Sequence, residues 1–183
     1  MTLIEILISM SVFVLLVALG APVFYEWIQN QQTRAAADGI LNGLQTARIE
    51  AIHRNAAVQI VFSLPGTGWT VSEAASWAQC QSGVPLTCIQ TRSGAEGTSN
   101  AVATPFSGSP PAPDNTASSV TFGSMGGVTA NLDGTPSITQ IDVSNTQLGG
   151  SAARPMRIVV SAGGSIRMCD PAPAIPTTDP RHC

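Results

Sequence analysis

The stretch MTLIEILISMSVFVLLVALGAPVFY, residues 1–25, decides the fold of this chain. Its one charged side chain is Glu5, and the uncharged run from Ile6 to Tyr25 ends at Glu26. At about 1.5 Å per residue, these twenty residues form a helix about 30 Å long, which matches the hydrocarbon core of a bilayer. Segment 1–25 is therefore predicted to be a helix held in a membrane, or in a filament with an equally apolar core.

This segment differs from a secretory signal peptide, which has a basic start and a small-residue cleavage site after a short apolar stretch. No Lys or Arg precedes Arg34, and the apolar stretch runs directly into sequence that still favours a helix. A plain N-terminal anchor is the alternative, but an anchor has no need of an acid at position 5. Because a carboxylate at the membrane end of a helix is costly, Glu5 is predicted to have a function.

Residues 26–55 are predicted to continue the helix as an amphipathic half. Apolar side chains recur there at the spacing i, i+4, i+7 and i+11, which places them on one face of a helix; they are Ile40, Leu44, Ala47 and Ala51. Charged residues four positions apart are expected to pair on the solvent side; they are Arg34 with Asp38 and Glu50 with Arg54.

Pro22 lies in the apolar half of this helix. It has no N–H to bond to residue 18, and its ring clashes with that turn, so we expect a kink there. Such a kink is tolerable in a membrane-like setting.

Residues 56–183 are predicted to form one β-rich globular domain, long enough for a single core. Short β-branched or alternating runs bounded by turn residues predict antiparallel strands; they are Val58–Leu64, Gly68–Ser72, Val120–Phe122, Ile138–Val143, Met156–Ser161 and Ser165–Cys169. The last two are expected to form a hairpin about the Gly163-Gly164 turn. The predicted fold class is α+β, a long N-terminal helix packed on a small antiparallel β domain of two sheets.

The segment 93–119 is rich in Gly, Ser, Ala and Pro. It offers little apolar surface to bury, so we expect a long loop rather than a pair of strands. The loop is either a spacer or an exposed contact segment.

The four cysteines predict disulfide bonds in an oxidising compartment. Three connectivities exist, and local pairing of Cys80 with Cys88 and of Cys169 with Cys183 is favoured. The second pair would tie down a proline-rich C-terminal tail. A zinc site is the competing interpretation, but the sequence has no CxxC spacing.

The composition argues against catalysis. The chain has two histidines, His53 and His182, and no lysine, and its aspartates mostly lie at turn signals. No glycine-rich phosphate loop is present. We therefore expect no enzymatic activity, no metal and no cofactor.

Four of the eight arginines lie in the last thirty residues; they are Arg154, Arg157, Arg167 and Arg181. On one face, four guanidinium groups could bind the phosphates of DNA. Nearby aspartates and the scarcity of aromatic side chains for stacking argue against this. Solvated arginines on strand edges, which discourage sheet aggregation, are an equally good interpretation.

The start Thr2-Leu3-Ile4-Glu5, followed by a long apolar helix, resembles the mature N-terminus of type IV pilins and type II secretion pseudopilins. In that family a prepilin peptidase removes a short leader, and the new N-terminal residue, here Met1, is methylated. The resemblance implies that Glu5 pairs with the α-amino group of Met1 on a neighbouring subunit and so sets the axial register. Left unpaired among apolar helices, the carboxylate would be unfavourable by several kcal/mol.

Residues 44–55 (LQTARIEAIHRN) resemble the matching helix segment of GspH/FimT/FimU-type minor pilins, and so does the C-terminal region 161–183. Some FimT-type members bind DNA through a C-terminal Gly-Arg-x-Arg motif. Here the corresponding stretch is Gly164-Ser165-Ile166-Arg167, in which only the second arginine is retained. This difference favours a FimU-like structural role.

The resemblance implies a minor type IV pilin, a structural subunit that primes or caps pilus assembly near the tip. Its expected partners are other minor and major pilins, the inner-membrane assembly platform and prepilin peptidase. The subunit would be a single-pass inner-membrane protein with a periplasmic C-terminal domain, and then part of the extracellular pilus. Two alternatives stay open: a DNA-binding pilin for natural transformation, and a minor pseudopilin of a type II secretion system.

Overall fold

The computed structural model describes residues 2–82, 87–96, 98–172, 175–176 and 178–183. One helix, α1, spans Leu3–Arg54 and continues through Pro22. It ends where Asn55 adopts a left-handed conformation with φ of 50° and its backbone N–H bonds back to the last helical turn, which is a common way to terminate a helix. The predicted end at about Asn55 is confirmed.

Helix α1 has two halves of different character. Large side chains before residue 28 are exposed, whereas burial begins at Gln29. The predicted stripe is confirmed, because Ile40, Leu44, Ala47 and Ala51 are all fully buried against the β domain. Burying such side chains is the main source of stability for an amphipathic helix.

The β domain contains ten strands in two antiparallel five-stranded sheets. The strands are β1 Val58–Ser63, β2 Gly68–Glu73, β3 Cys88–Arg92, β4 Ala101–Ser107, β5 Ala112–Pro113, β6 Ser119–Phe122, β7 Val128–Thr129, β8 Ile138–Asn145, β9 Met156–Val160 and β10 Ile166–Cys169. The first sheet has the order β3-β2-β1-β6-β7, and the second has the order β10-β9-β8-β4-β5. A short helix, α2, spans Trp77–Gln81 between β2 and β3.

All six predicted strands are present, and the fold class is confirmed. β9 and β10 form the expected hairpin, with Ile166 opposite Val160 and Cys169 opposite Arg157. Gly164 occupies its turn with φ of 78°, a conformation that glycine adopts without a steric penalty. Helix α1 packs against both sheets, so one core fills the space between helix and strands.

The prediction of a continuous loop over 93–119 is wrong, because this segment contains β4 and β5. Ala101, Ala103 and Pro105 of β4 alternate into the core and lie opposite residues of β8. Their small side chains gave no hydrophobic signal in the sequence. In the folded domain, the residues that pack against them supply the apolar surface that they lack.

Pro105 also argued against a strand. Its carbonyl accepts a hydrogen bond from the N–H of Asp114, on the side away from β8. The N–H that proline lacks would therefore point away from the β4–β8 ladder, where its loss breaks no hydrogen bond.

Candidate functional site

The apolar half of α1 exposes an unusually large hydrophobic surface. Its large apolar side chains are between 47 and 78% exposed; they include Leu3, Ile8, Phe13, Leu16, Leu19, Phe24 and Trp27. Among the described residues, α1 is the helix that is long and apolar enough to cross a membrane, with a mean hydropathy of 2.6 over its best 18-residue window. Soluble proteins rarely leave so large an apolar surface exposed, so a membrane or other apolar helices must cover it.

Glu5 lies in the first turn of α1 and is exposed. Its carboxylate accepts a hydrogen bond of 3.4 Å from the backbone N–H of Thr2, which helps to satisfy an unpaired donor at the helix start. Within the part of the chain that the structure describes, no cation lies within ion-pair distance of Glu5. Met1, its predicted intermolecular partner, lies outside the described residues. The register role of Glu5 and the methylation of Met1 therefore stay predictions, as does the kink at Pro22.

Two local disulfides are present, as predicted. Cys80 and Cys88 are joined with 4.9 Å between their Cα atoms, and Cys169 and Cys183 with 5.2 Å. The second disulfide returns the tail to the end of β10. There the N–H of Asp170 bonds to the carbonyl of Arg181 over 2.7 Å.

The structure does not bring the four C-terminal arginines onto one surface. Arg157 and Arg167 lie on the outer face of the second sheet, since Ile158 and Val160 alternate with them into the core. Arg157 makes two hydrogen bonds of 2.7 Å to the carboxylate of Asp142, through Nε and Nη2. These bonds raise the pKa of its guanidinium. They also reduce the ability of Arg157 to bind another anion, because Asp142 already occupies two of its donors.

The other two arginines, Arg154 and Arg181, line a cavity of about 310 Å³ together with Arg34 of α1. We call this cavity the arginine pocket; its other walls include Asn30, Met156, Met168 and Asp170. It lies between α1, the start of β9, the end of β10 and the C-terminal tail.

Asn30 holds one wall of the arginine pocket in place. Its side-chain amide donates to the carbonyl of Ala152 at 2.9 Å and accepts from the N–H of Arg154 at 2.9 Å. These two bonds fix the connection between β8 and β9 against the helix. The position of Arg154 is therefore set by the fold.

Arg181 is held by its neighbour in the tail. Its Nε and Nη2 donate to the carboxylate of Asp179 at 3.1 and 2.8 Å. These hydrogen bonds are the main reason why the pKa of Asp179 falls to about 2. The guanidinium is thereby oriented beside the pocket even though the side chain is exposed.

Sequence reasoning missed the part that Arg34 plays in this pocket. The expected ion pair with Asp38 is absent from the described part of the chain, whereas Glu50 and Arg54 do pair, at 2.7 Å. No local signal marked Arg34, because the two other arginines of the pocket, Arg154 and Arg181, are more than a hundred residues away in sequence.

Comparison with known proteins bears on both the fold and the family. A crystal structure of the type IV minor pilin FimU from Pseudomonas aeruginosa (strain PAO1) matches with a TM-score of 0.52 and 18% identity, covering 78% of this chain and 91% of that one. A second crystal form of FimU matches with a TM-score of 0.48 and 18% identity, covering 74% and 90%. At 18% identity, the first of these matches shows a shared fold.

Comparison with curated proteins finds no significant match. The family model of the type II transport protein GspH matches residues 36–164, which is more than half of the chain. That match spans most of the buried half of α1 and the strands through β9. The chain therefore belongs to the GspH family.

Proposed function

We propose that this chain is a minor type IV pilin that primes or caps pilus assembly near the filament tip. The observation that carries the proposal is the single helix Leu3–Arg54, whose first half is exposed and apolar while its second half is buried in the β domain. A rigid connection of this kind transmits the packing of the apolar half to the position of the head domain. The function is assembly, and no catalytic step is involved.

In this proposal the apolar half-helix holds the subunit in the inner membrane and then packs among the helices of the filament. Glu5 pairs with the N-methylated α-amino group of a neighbour and sets the axial register. The β domain faces the periplasm before assembly, where an oxidising environment supports its two disulfides. The partners are the other minor pilins, the major pilin, the assembly platform and prepilin peptidase.

The test is Glu5→Ala in the full chain, expressed in cells from which the native gene has been deleted. We expect the amount recovered in sheared pili to fall by about ten-fold or more, because an unpaired terminal amine and a lost register cost more than 1.4 kcal/mol. The level in the membrane fraction and both disulfides should be unchanged. Asp38→Ala is the matched control, since this exposed carboxylate lies on the same helix and has no hydrogen bond or ion pair with a described residue. Normal recovery of Glu5→Ala in pili would overturn the register role.

A second candidate is a minor pseudopilin of a type II secretion system. The description of the matching family, a type II transport protein, favours it. Both candidates use the same helix and the same assembly chemistry, so the surrounding machine must distinguish them. Deletion of the gene should abolish surface pili if the chain is a pilin, and should block export of secreted enzymes with pili intact if it is a pseudopilin.

A further inference from the structure

The arginine pocket contains positive charge that the described part of the chain leaves uncompensated. The guanidinium groups of Arg34 and Arg154 make no hydrogen bond and no ion pair with any described residue. Two like charges that line one cavity repel each other. An anion bound between them would remove this repulsion and gain charge-assisted hydrogen bonds.

The balance of charge in the pocket suits one negative charge. The pocket has three positive charges, on Arg34, Arg154 and Arg181. Two negative charges oppose them, on Asp170 in the wall and on Asp179, which already binds Arg181. Three guanidiniums against two carboxylates leave about one positive charge. A single carboxylate would neutralise it.

A polyanion such as DNA fits the surroundings less well. Nucleic acids need a track of cations along the backbone, with aromatic side chains where bases stack. The remaining C-terminal arginines lie on the outer face of the second sheet, where Asp142 already binds Arg157. No aromatic side chain lines the pocket among the described residues. These observations favour a single acidic side chain.

The position of the pocket along α1 indicates where that side chain comes from. Asn30 and Arg34 lie one to two turns beyond the apolar half-helix. If neighbouring subunits pack their apolar halves in parallel, which rests on the proposed function, the pocket faces the level at which a neighbouring helix becomes polar. In this chain the first carboxylate at that level is Glu26, which is exposed and makes no hydrogen bond or ion pair with a described residue. Glu26 precedes Arg34 by eight residues, an axial distance of about 12 Å.

We propose that the arginine pocket binds a carboxylate of a neighbouring pilin subunit, located at the end of that subunit's apolar half-helix. Arg34 and Arg154 bind the carboxylate directly, and Arg181, oriented by Asp179, closes the site from the tail. The pocket thus provides a second polar contact between subunits, about eight helical turns beyond Glu5. Unlike the Glu5 contact, it joins the head domain of one subunit to the helix of the next.

The test uses the full chain in cells, with a photo-crosslinking amino acid in place of Gln31, an exposed residue of the pocket wall. We expect a crosslink to another pilin subunit, with the attachment site mapped by mass spectrometry to within one or two turns of a carboxylate at the end of its apolar segment. Adding Arg34→Gln and Arg154→Gln should reduce the crosslink by about five-fold or more, because charge-assisted hydrogen bonds are the strong ones. Arg167→Gln, on the outer face of the second sheet, is the matched control and should change nothing.

A charge exchange provides the second arm. Arg34→Glu should abolish the crosslink, and Lys in place of the mapped carboxylate on the partner should restore it. An absent crosslink, or a crosslink that does not change when Arg34 and Arg154 are substituted, would overturn the proposal. So would binding of an oligonucleotide by the full chain in detergent that Arg34→Gln and Arg154→Gln abolish.

The two proposals fail by different readouts. If the wild-type chain is missing from both sheared pili and secretion pseudopili, the proposed function is wrong. If the chain is present there while the pocket crosslink is missing, only the carboxylate contact is wrong.

Discussion

Trp69 donates its indole N–H to the main-chain carbonyl of Gly39, with 3.0 Å between Nε1 and the oxygen. The ring is 1% exposed, and it also covers Gly43, where an added Cβ would lie 2.6 Å from the ring carbon Cε2. Two glycines one turn apart therefore let the first sheet approach the backbone of α1. Glycine lowers helix propensity by about 1 kcal/mol relative to alanine, and here close packing offsets that cost.

We expect Gly43→Ala to destabilise the β domain although alanine is the better helix former. The new methyl group would overlap the indole of Trp69, and overpacking of this kind costs about 1–3 kcal/mol. Denaturant unfolding of the full chain in detergent measures the change. Asn42→Ala, at an exposed position on the same helix, is the control and should be neutral or slightly stabilising. A Gly43→Ala variant as stable as the wild type would show that the ring moves aside freely.

The parts of the fold that were predictable share a strong local signal. The stripe from Ile40 to Ala51 has helical periodicity, and strands such as β1 are β-branched runs bounded by turns. β4 was missed because its buried residues are two alanines and a proline, whose burial depends on β8 and on the helix. β3 was missed because Cys88–Arg92 is half-exposed at a sheet edge and has little apolar character.

The candidate site was predictable to a smaller extent. Glu5 and the two cysteine pairs can be recognised from the local sequence; Glu5 is recognisable because it is a charged residue in an apolar run. The grouping of Arg34 with Arg154 and Arg181 depends on how the tail returns to the helix, which no local pattern encodes. The same packing separates Arg157 from Arg154, because Arg154 precedes β9 and is held against α1, whereas Arg157 lies on the outer face of the second sheet.

The pair formed by Asp142 and Arg157 should stabilise the second sheet measurably. Both side chains are partly buried, 23% and 29% exposed, and the two 2.7 Å hydrogen bonds are bidentate. A double-mutant cycle with Asp142→Asn and Arg157→Gln should give a coupling energy of about 1 kcal/mol, the upper end for exposed pairs. Arg154→Gln, which removes a guanidinium without a described partner, should leave the free energy of unfolding nearly unchanged. Additive effects of the first two substitutions would contradict the prediction.

Asp114 should make the domain sensitive to acid. Hydrogen bonds from the hydroxyl of Ser107, and then from Thr116, lower the pKa of this carboxyl from 3.8 to about 2. Because the unfolded chain binds this proton more readily, the contribution of Asp114 to stability is present above pH 4 and is lost as the pH falls towards 2. Unfolding curves measured between pH 5 and about pH 2 should therefore converge for the wild type and Asp114→Asn.

The control is Asp38→Asn, which removes an exposed carboxylate that accepts no hydrogen bond from a described residue. A constant difference for Asp114→Asn would instead show that the Ser107 hydrogen bond does not favour the charged form.

The disulfide of the C-terminal tail should contribute more to stability than the one near β3. Cys169 and Cys183 are 14 positions apart, whereas Cys80 and Cys88 are 8 apart. The chain-entropy model gives about 3 kcal/mol for a loop of the larger size, and about 0.5 kcal/mol less for the smaller one. Paired Cys→Ser substitutions at each bond, compared by denaturant unfolding, measure the two losses.

Removing the tail disulfide should also weaken the pocket crosslink from position 31, because Arg181 is no longer held beside Asp170. Removing the Cys80–Cys88 disulfide should leave that crosslink unchanged. An equal effect of both on the crosslink would mean that the tail is not what closes the arginine pocket.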